Sequence, residues 1–396
     1  MLLRIPSGAE RPALKKSVRK ALLVAISLLV SAAAVLYFLR GMRGQWAQMG
    51  QAFGKANYLY LVPAVGLIGL TYAFRVFRWR VFLNPIKKVS YSDITSATCI
   101  GFMATCVLPL RPGEIIRPYM LHRKSGVSFG HAAGTAPGLE RVFDLIGTCF
   151  LLLLTFVAIS ARAPRHPGAD ASADQAAAQA VPAAGLEPQA TQRSGEQLEE
   201  FLQKVRSKGL FFATALAAGL VALSAATFFP AVTLRVAEFF LRVLPASWRK
   251  ALMGLLGSFV QAMGFLKSPG RVAAATLLSL GVWFCYPLST YVLARGFGLD
   301  LPLAGALVVQ SMVTVAVVAP QAPGFIGPFQ AAATAGAELF GVSRGDAGAF
   351  GMMMWAVNVI PITIVGLWYL RREGLSLRRL AQASERAADQ ASGAET

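Results

Sequence analysis

Six ionisable residues stand close together in an otherwise apolar sequence: Arg111, Glu114 and Arg117, then Glu140, Arg141 and Asp144. Residues three or four apart share a helical face, so Glu114 can lie beside both arginines if its stretch is helical, and Glu140 and Asp144 sit one turn apart. The arginine fork donates two charge-assisted hydrogen bonds at once, which suits phosphate. The set therefore predicts a basic pocket for an anionic headgroup. Arg111, Arg117 and Arg141 would engage the headgroup, while Glu114, Glu140 and Asp144 pair with them or gate the site. The plainer alternative is a static ion-pair cluster that pins neighbouring helices together. Arg75, Arg78, Trp79 and Arg80, interleaved with Phe77, read as an interfacial anchor.

No catalytic set is expected. The sequence contains no G-x-S-x-G, P-loop, G-x-G-x-x-G or paired-histidine metal motif, so neither a metal nor a cofactor is implied. His122 and His131 lie near the basic loop and could titrate, but such histidines are more often surface residues. Cys99, Cys106, Cys149 and Cys285 fall in apolar segments without metal-ligand spacing and read as small packing residues.

The elements that carry these residues must be membrane helices. Of the 396 residues, 55% are hydrophobic and only 14% charged, whereas a soluble domain is about one quarter charged. Apolar runs at 21–39, 58–74, 145–160, 209–229, 272–293 and 347–370 each approach the ~20 residues that a spanning helix needs. The formal charge of +19 is concentrated beside these runs. It therefore indicates positive-inside topology and attraction to anionic lipid, not nucleic acid.

The basic residues place both termini in the cytoplasm. Parity then requires two stretches to enter the membrane and turn back, one beginning with the apolar run Tyr91–Leu108 from inside and one at Leu301–Leu339 from outside. Each carries a P-x-x-P-G break: Pro109, Pro112 and Gly113 in the first; Pro320, Pro323 and Gly324, with Gly327 close by, in the second. Proline removes a helical N–H and glycine permits a reversal, and such breaks are tolerated in lipid only where they are buried or line a wet cavity. Gln310, Gln321 and Gln330 add uncharged polarity to the second stretch and could line that cavity.

The expected fold is an all-α polytopic membrane protein with about six spanning helices and two opposed re-entrant helical hairpins, in the manner of an inverted repeat. Residues 1–20 form a basic cytoplasmic segment, 21–370 the transmembrane domain and 371–396 a polar cytoplasmic tail. Within the domain, 161–207 reads as a flexible outer loop and 231–268 as an amphipathic cytoplasmic connector.

The order of the motifs resembles the lysylphosphatidylglycerol synthase transmembrane family, also called flippase-like membrane proteins. The matching pieces are Arg78-Trp79-Arg80, the run Leu108-Pro109-Leu110-Arg111-Pro112-Gly113-Glu114-Ile115-Ile116-Arg117, Glu140-Arg141-Val142-Phe143-Asp144, and Pro323-Gly324-Phe325-Ile326-Gly327-Pro328-Phe329-Gln330. Gln330 stands where that family usually has glutamate, and Thr105 and Cys106 where it often has asparagine. The aminoacyltransferase domain of some relatives does not follow Leu370, so lipid aminoacylation by this chain alone is not expected. The resemblance implies that the chain moves or handles an anionic phospholipid or lipid-linked precursor in a bacterial inner membrane. Two other readings are open: a membrane enzyme acting on lipid phosphates, and a non-transporting partner of a lipid- or glycan-synthesis enzyme.

Overall fold

The computed structural model describes residues 29–108, 111–160, 230–242, 263–317 and 323–377, with further positions at 25, 249, 252–254, 256, 257, 379, 380 and 382. Every regular element among the described residues is helical. In chain order these are α1 (Leu29–Gly41), α2 (Trp46–Lys55), α3 (Leu61–Leu83), α4 (Tyr91–Val107), α5 (Gly113–Ser125), α6 (Phe129–Ala133), α7 (Glu140–Ser160), α8 (Pro230–Leu241), α9 (Pro269–Gly296), α10 (Leu303–Ala316), α11 (Pro328–Glu338) and α12 (Arg344–Arg372).

Among the described residues, three helices are long and apolar enough to cross a membrane: α3 with its leading turn from Tyr58, α9 and α12. They form the frame. One core cluster joins the first half of α3 (Ala64, Ile68) to the last turns of α9 (Leu293, Ala294) and the first half of α12 (Ala347, Phe350, Met354). Another joins the far end of α3 (Trp79, Leu83) to Leu370 of α12. Thus α3 and α12 run the same way and α9 runs against them. Of the other expected spans, 145–160 lies in the 21-residue α7 and part of 21–39 in α1. Segments 209–229 and 161–207, and most of the apolar face expected near Leu252, lie outside the described residues.

Two helical hairpins insert into this frame from opposite ends. α4 and α5 pack against each other and against the Leu83 end of the frame. α10 and α11 pack against each other and against its Leu61 end. Each arm is short: 17 and 13 residues in the first hairpin, 14 and 11 in the second. At 1.5 Å per residue no arm reaches the ~30 Å of a bilayer core. Local signals set their limits. The Ser90 hydroxyl caps α4 by accepting from Asp93 N–H, left-handed Gly126 ends α5, and Ser343 caps α12.

Close packing of the first hairpin depends on glycine. A Cβ on Gly113 would lie 2.0 Å from the Gly101 carbonyl oxygen. The hairpin tips meet near the middle of α12. There Trp355 Nε1 donates to the Gly324 carbonyl at 2.6 Å, and the turn Pro323–Phe325 packs against α4. At the opposite end of the first hairpin, Lys124 bonds to Glu373 and lies 3.4 Å from Asp93, while Ser96 donates to the same Glu373 oxygen. Leu380 beyond the helix is buried in the hairpin core.

Candidate functional site

Four elements converge on one buried polar cluster. α3 contributes Arg75, Arg78 and Trp79, which lie three and four residues apart on the face turned into the bundle. α7 contributes Glu140 and Asp144, one turn apart, as the spacing predicts. α5 contributes Arg117, and α9 contributes Ser279.

The geometry is that of a shared ion-pair network. Arg75 Nη1 donates to Asp144 Oδ2 at 3.1 Å, and Arg78 Nη2 donates to Asp144 Oδ1 at 2.8 Å. Arg78, with 0% of its surface exposed, also donates to Ser279 Oγ at 2.9 Å and lies 3.7 Å from Glu140 Oε1. Arg117 Nη1 donates to Glu140 Oε2 at 2.5 Å. The Arg117 guanidinium lies 4.7 Å from the centre of the Trp79 ring and 4.9 Å from that of Phe102, and Arg75 lies 5.3 Å from the same Phe102. The aromatic faces hold the forks in place and add cation–π attraction. Trp79 is itself fixed by donating to Thr135 Oγ1 at 3.0 Å.

A cavity of about 80 Å³ opens beside this network, lined by Arg75, Phe102, Thr105, Arg117, Glu140 and Asp144, with Glu114 and Arg141 also on its wall. Arg117 Nε and Nη2, Arg75 Nε and Glu140 Oε1 are buried there without a hydrogen-bond partner. Its back wall includes Ala136 and Pro137 of a π-helical segment, Gly134–Leu139, between α6 and α7. A π turn widens a helix locally and often marks functional positions. Pro137, which has no N–H to offer the helix, was the available sequence signal for this segment.

Several expected placements are corrected. Arg75, Arg78 and Trp79 are buried in the bundle, not anchored at an interface. The reason is helical period: they share the inner face, where the charges of Asp144 and Glu140 meet them. Arg80 points elsewhere, its guanidinium 3.7 Å from the centre of the Tyr91 ring, and exposed Phe77 packs edge-on to the same ring.

Glu114 forms its ion pair with neither Arg111 nor Arg117. Helix α5 begins at Gly113, so Arg111 precedes it in left-handed backbone (φ 53°) and stacks on Phe325 of the other hairpin. Glu114 instead pairs with Arg141. Gln310 and Gln330 are away from this cavity. Gln310 accepts from Thr290 Oγ1 at 3.2 Å, and Gln330 accepts from the Gly327 N–H at 2.8 Å, capping α11. Pro112 sits just ahead of α5, and Pro323, Gly324 and Gly327 shape the second tip. Pro109, Pro320 and Gln321 lie outside the described residues. Phe102 and Ser279, which border the network, carry no distinguishing sequence signal, whereas Thr105 is one of the two positions where the resembled family often has asparagine.

Such a network, with more guanidinium than carboxylate and donors left over, can hold an oxyanion. The sequence matches the family described as the lysylphosphatidylglycerol synthase TM region over residues 24–173 and 196–366. No curated protein and no solved structure matches it.

Proposed function

The chain belongs to the lysylphosphatidylglycerol synthase TM region family, and from that premise we propose that it binds the phosphate of an anionic lipid, a phospholipid or lipid-linked precursor, and carries it between the leaflets of a bacterial inner membrane. The observation that carries the reading is charge balance. Arg75, Arg78 and Arg117 face Glu140 and Asp144, three cations against two anions, while Arg141 and Glu114 cancel each other. A buried charge without a counter-ion costs several kcal/mol. A phosphate in the cavity balances the count and gives Arg117 Nη2 an acceptor.

The carboxylates are all held by arginines, which suits ion pairing better than acid–base work on a substrate. The opposed short hairpins act as re-entrant elements, their tips meeting where a headgroup must cross. Arg80, Lys87, Lys88, Arg123, Lys124, Arg371 and Arg372 gather at the Leu83 end of the frame, which supports reading that end as the cytoplasmic one.

The test pairs lipid identification with transport. The protein purified in mild detergent should retain an anionic phosphate-bearing lipid, and in liposomes it should move a labelled analogue across the bilayer. Arg117→Lys keeps the charge but loses the fork, so it should melt near the parent temperature and move lipid about tenfold more slowly. Full transport by Arg117→Lys, or no retained lipid, would overturn the reading.

A further inference from the structure

The mouth of the cavity opens on an apolar outer face. Glu114 and Arg141 both line the cavity and bond to each other, yet their side chains are 41% and 55% exposed. Beyond Arg141 the exposed side of α7 is apolar: Leu145, one turn on, is 60% exposed, and Leu153 and Val157 are exposed further round the helix. Glu114 lies in the first turn of α5, three residues from Arg111, whose side chain touches the tip of the second hairpin. That tip is held within one turn of the middle of α12. The pair therefore stands about half-way along the spanning frame, on a surface that faces hydrocarbon. Charge in that position is costly and marks a functional path.

The size of the cavity adds a constraint. About 80 Å³ is room for about half a dozen waters at ~10–15 Å³ of such space each, enough for a phosphate group and too little for acyl chains. The chains of a bound lipid must remain outside, against an apolar wall beside the mouth.

Resting on the reading of the cavity as a phosphate site, we propose that the Glu114–Arg141 pair is a lateral portal. A membrane lipid enters from the bilayer between α5 and α7. Its phosphate takes the Arg141 fork from the Glu114 carboxylate, one anion replacing another, and passes on to the open donors of Arg117. Its chains stay along Leu145, Leu153 and Val157. The occupant is a bilayer lipid and not a water-soluble phosphate ester.

Photolabelling of the full chain in liposomes tests this. Three probes are used: phosphatidylglycerol with a diazirine on the headgroup, phosphatidylglycerol with a diazirine at an acyl end, and a diazirine-bearing glycerol phosphate without chains. Mass spectrometry locates the adducts. The headgroup probe should label the peptides containing Glu114 and Arg141, the acyl probe those containing Leu145 to Val157, and the chain-free ester neither. Arg141→Glu should lower headgroup labelling by about tenfold through like-charge repulsion, and should lower the melting temperature as well, because two carboxylates facing hydrocarbon are costly. The exchanged pair Glu114→Arg with Arg141→Glu should restore the labelling. Labelling confined to the helix ends, equal labelling by the chain-free ester, or no effect of Arg141→Glu overturns the portal. Labelling at the mouth without movement between leaflets leaves the portal standing and removes the transport reading. Movement without labelling at the mouth does the reverse.

Discussion

Arg111 and Phe325 touch across the two hairpin tips, the guanidinium carbon 5.4 Å from the ring centre, and both hold left-handed backbone. Among the described residues they are the two non-glycine positions with positive φ, at 53° and 58°. Side-chain-bearing residues pay about 1–2 kcal/mol for that conformation, so strain sits on both sides of one contact. Arg111→Gly relieves the strain on one side. Its melting temperature should equal or exceed that of the parent, while lipid movement falls because the contact between the tips is lost. A clear drop in melting temperature would instead make the guanidinium the brace that holds the tips together.

Asp144 accepts from two buried arginines at once. Asp144→Asn keeps the shape and removes the charge that balances both. The expected loss is about 3–5 kcal/mol, as for any buried pair left half-made. Glu114→Gln, in the half-exposed pair at the cavity mouth, should cost less than Asp144→Asn, because a single arginine loses its partner. Thermal unfolding of the two variants in one detergent compares them directly, and equal losses would contradict the burial argument.

Backbone contact in the first hairpin is tested by a single methyl group. Gly113→Ala places a Cβ 2.0 Å from the Gly101 carbonyl oxygen, backbone that has nowhere to go. The hairpin must separate, and both stability and transport should fall sharply. Gly54→Ala on α2 meets nothing within 4 Å and is the control. It should melt at or slightly above the parent temperature, since alanine suits a helix better.

The opening of the first hairpin away from the tip should depend on pH. Burial alone would raise the Glu373 carboxyl, but bonds from Lys124 and Ser96 outweigh it and hold the group below its ordinary range. A carboxylate depressed on folding stabilises the protein above its unfolded pKa of about 4.3 and loses that contribution as pH falls through its lower folded value. Melting temperature should therefore decline below about pH 4.5 more steeply in the parent than in Glu373→Gln. Parallel curves for the two proteins would show that the contact contributes nothing.

The sequence reveals what depends on local spacing and hides what depends on remote partners. Glu140 and Asp144 share a face because they are four apart, and the breaks at Pro112 and Pro323 mark reversals through proline and glycine chemistry. Both are visible in a linear reading. The same reading places Arg78 at a surface because arginine beside tryptophan usually sits at an interface. Its burial follows from Asp144, 66 residues later, and Ser279, 201 residues later. Glu114 likewise pairs with Arg141, 27 residues away, while the nearer Arg117 is taken by Glu140. The π segment behind the cavity left only one proline as a clue.

Arg78 also imposes an order on biogenesis. When α3 leaves the ribosome, neither Asp144 nor Ser279 has been synthesised, yet the guanidinium is destined for a fully enclosed site. Until then the long side chains of Arg75 and Arg78 must reach toward the headgroups at the Leu83 end, which is possible because they lie in the last turns of the helix. Arrival of α7 supplies the counter-charge, and α9 completes the site by adding the Ser279 hydroxyl. An early helix thus carries charges whose partners are translated long after it.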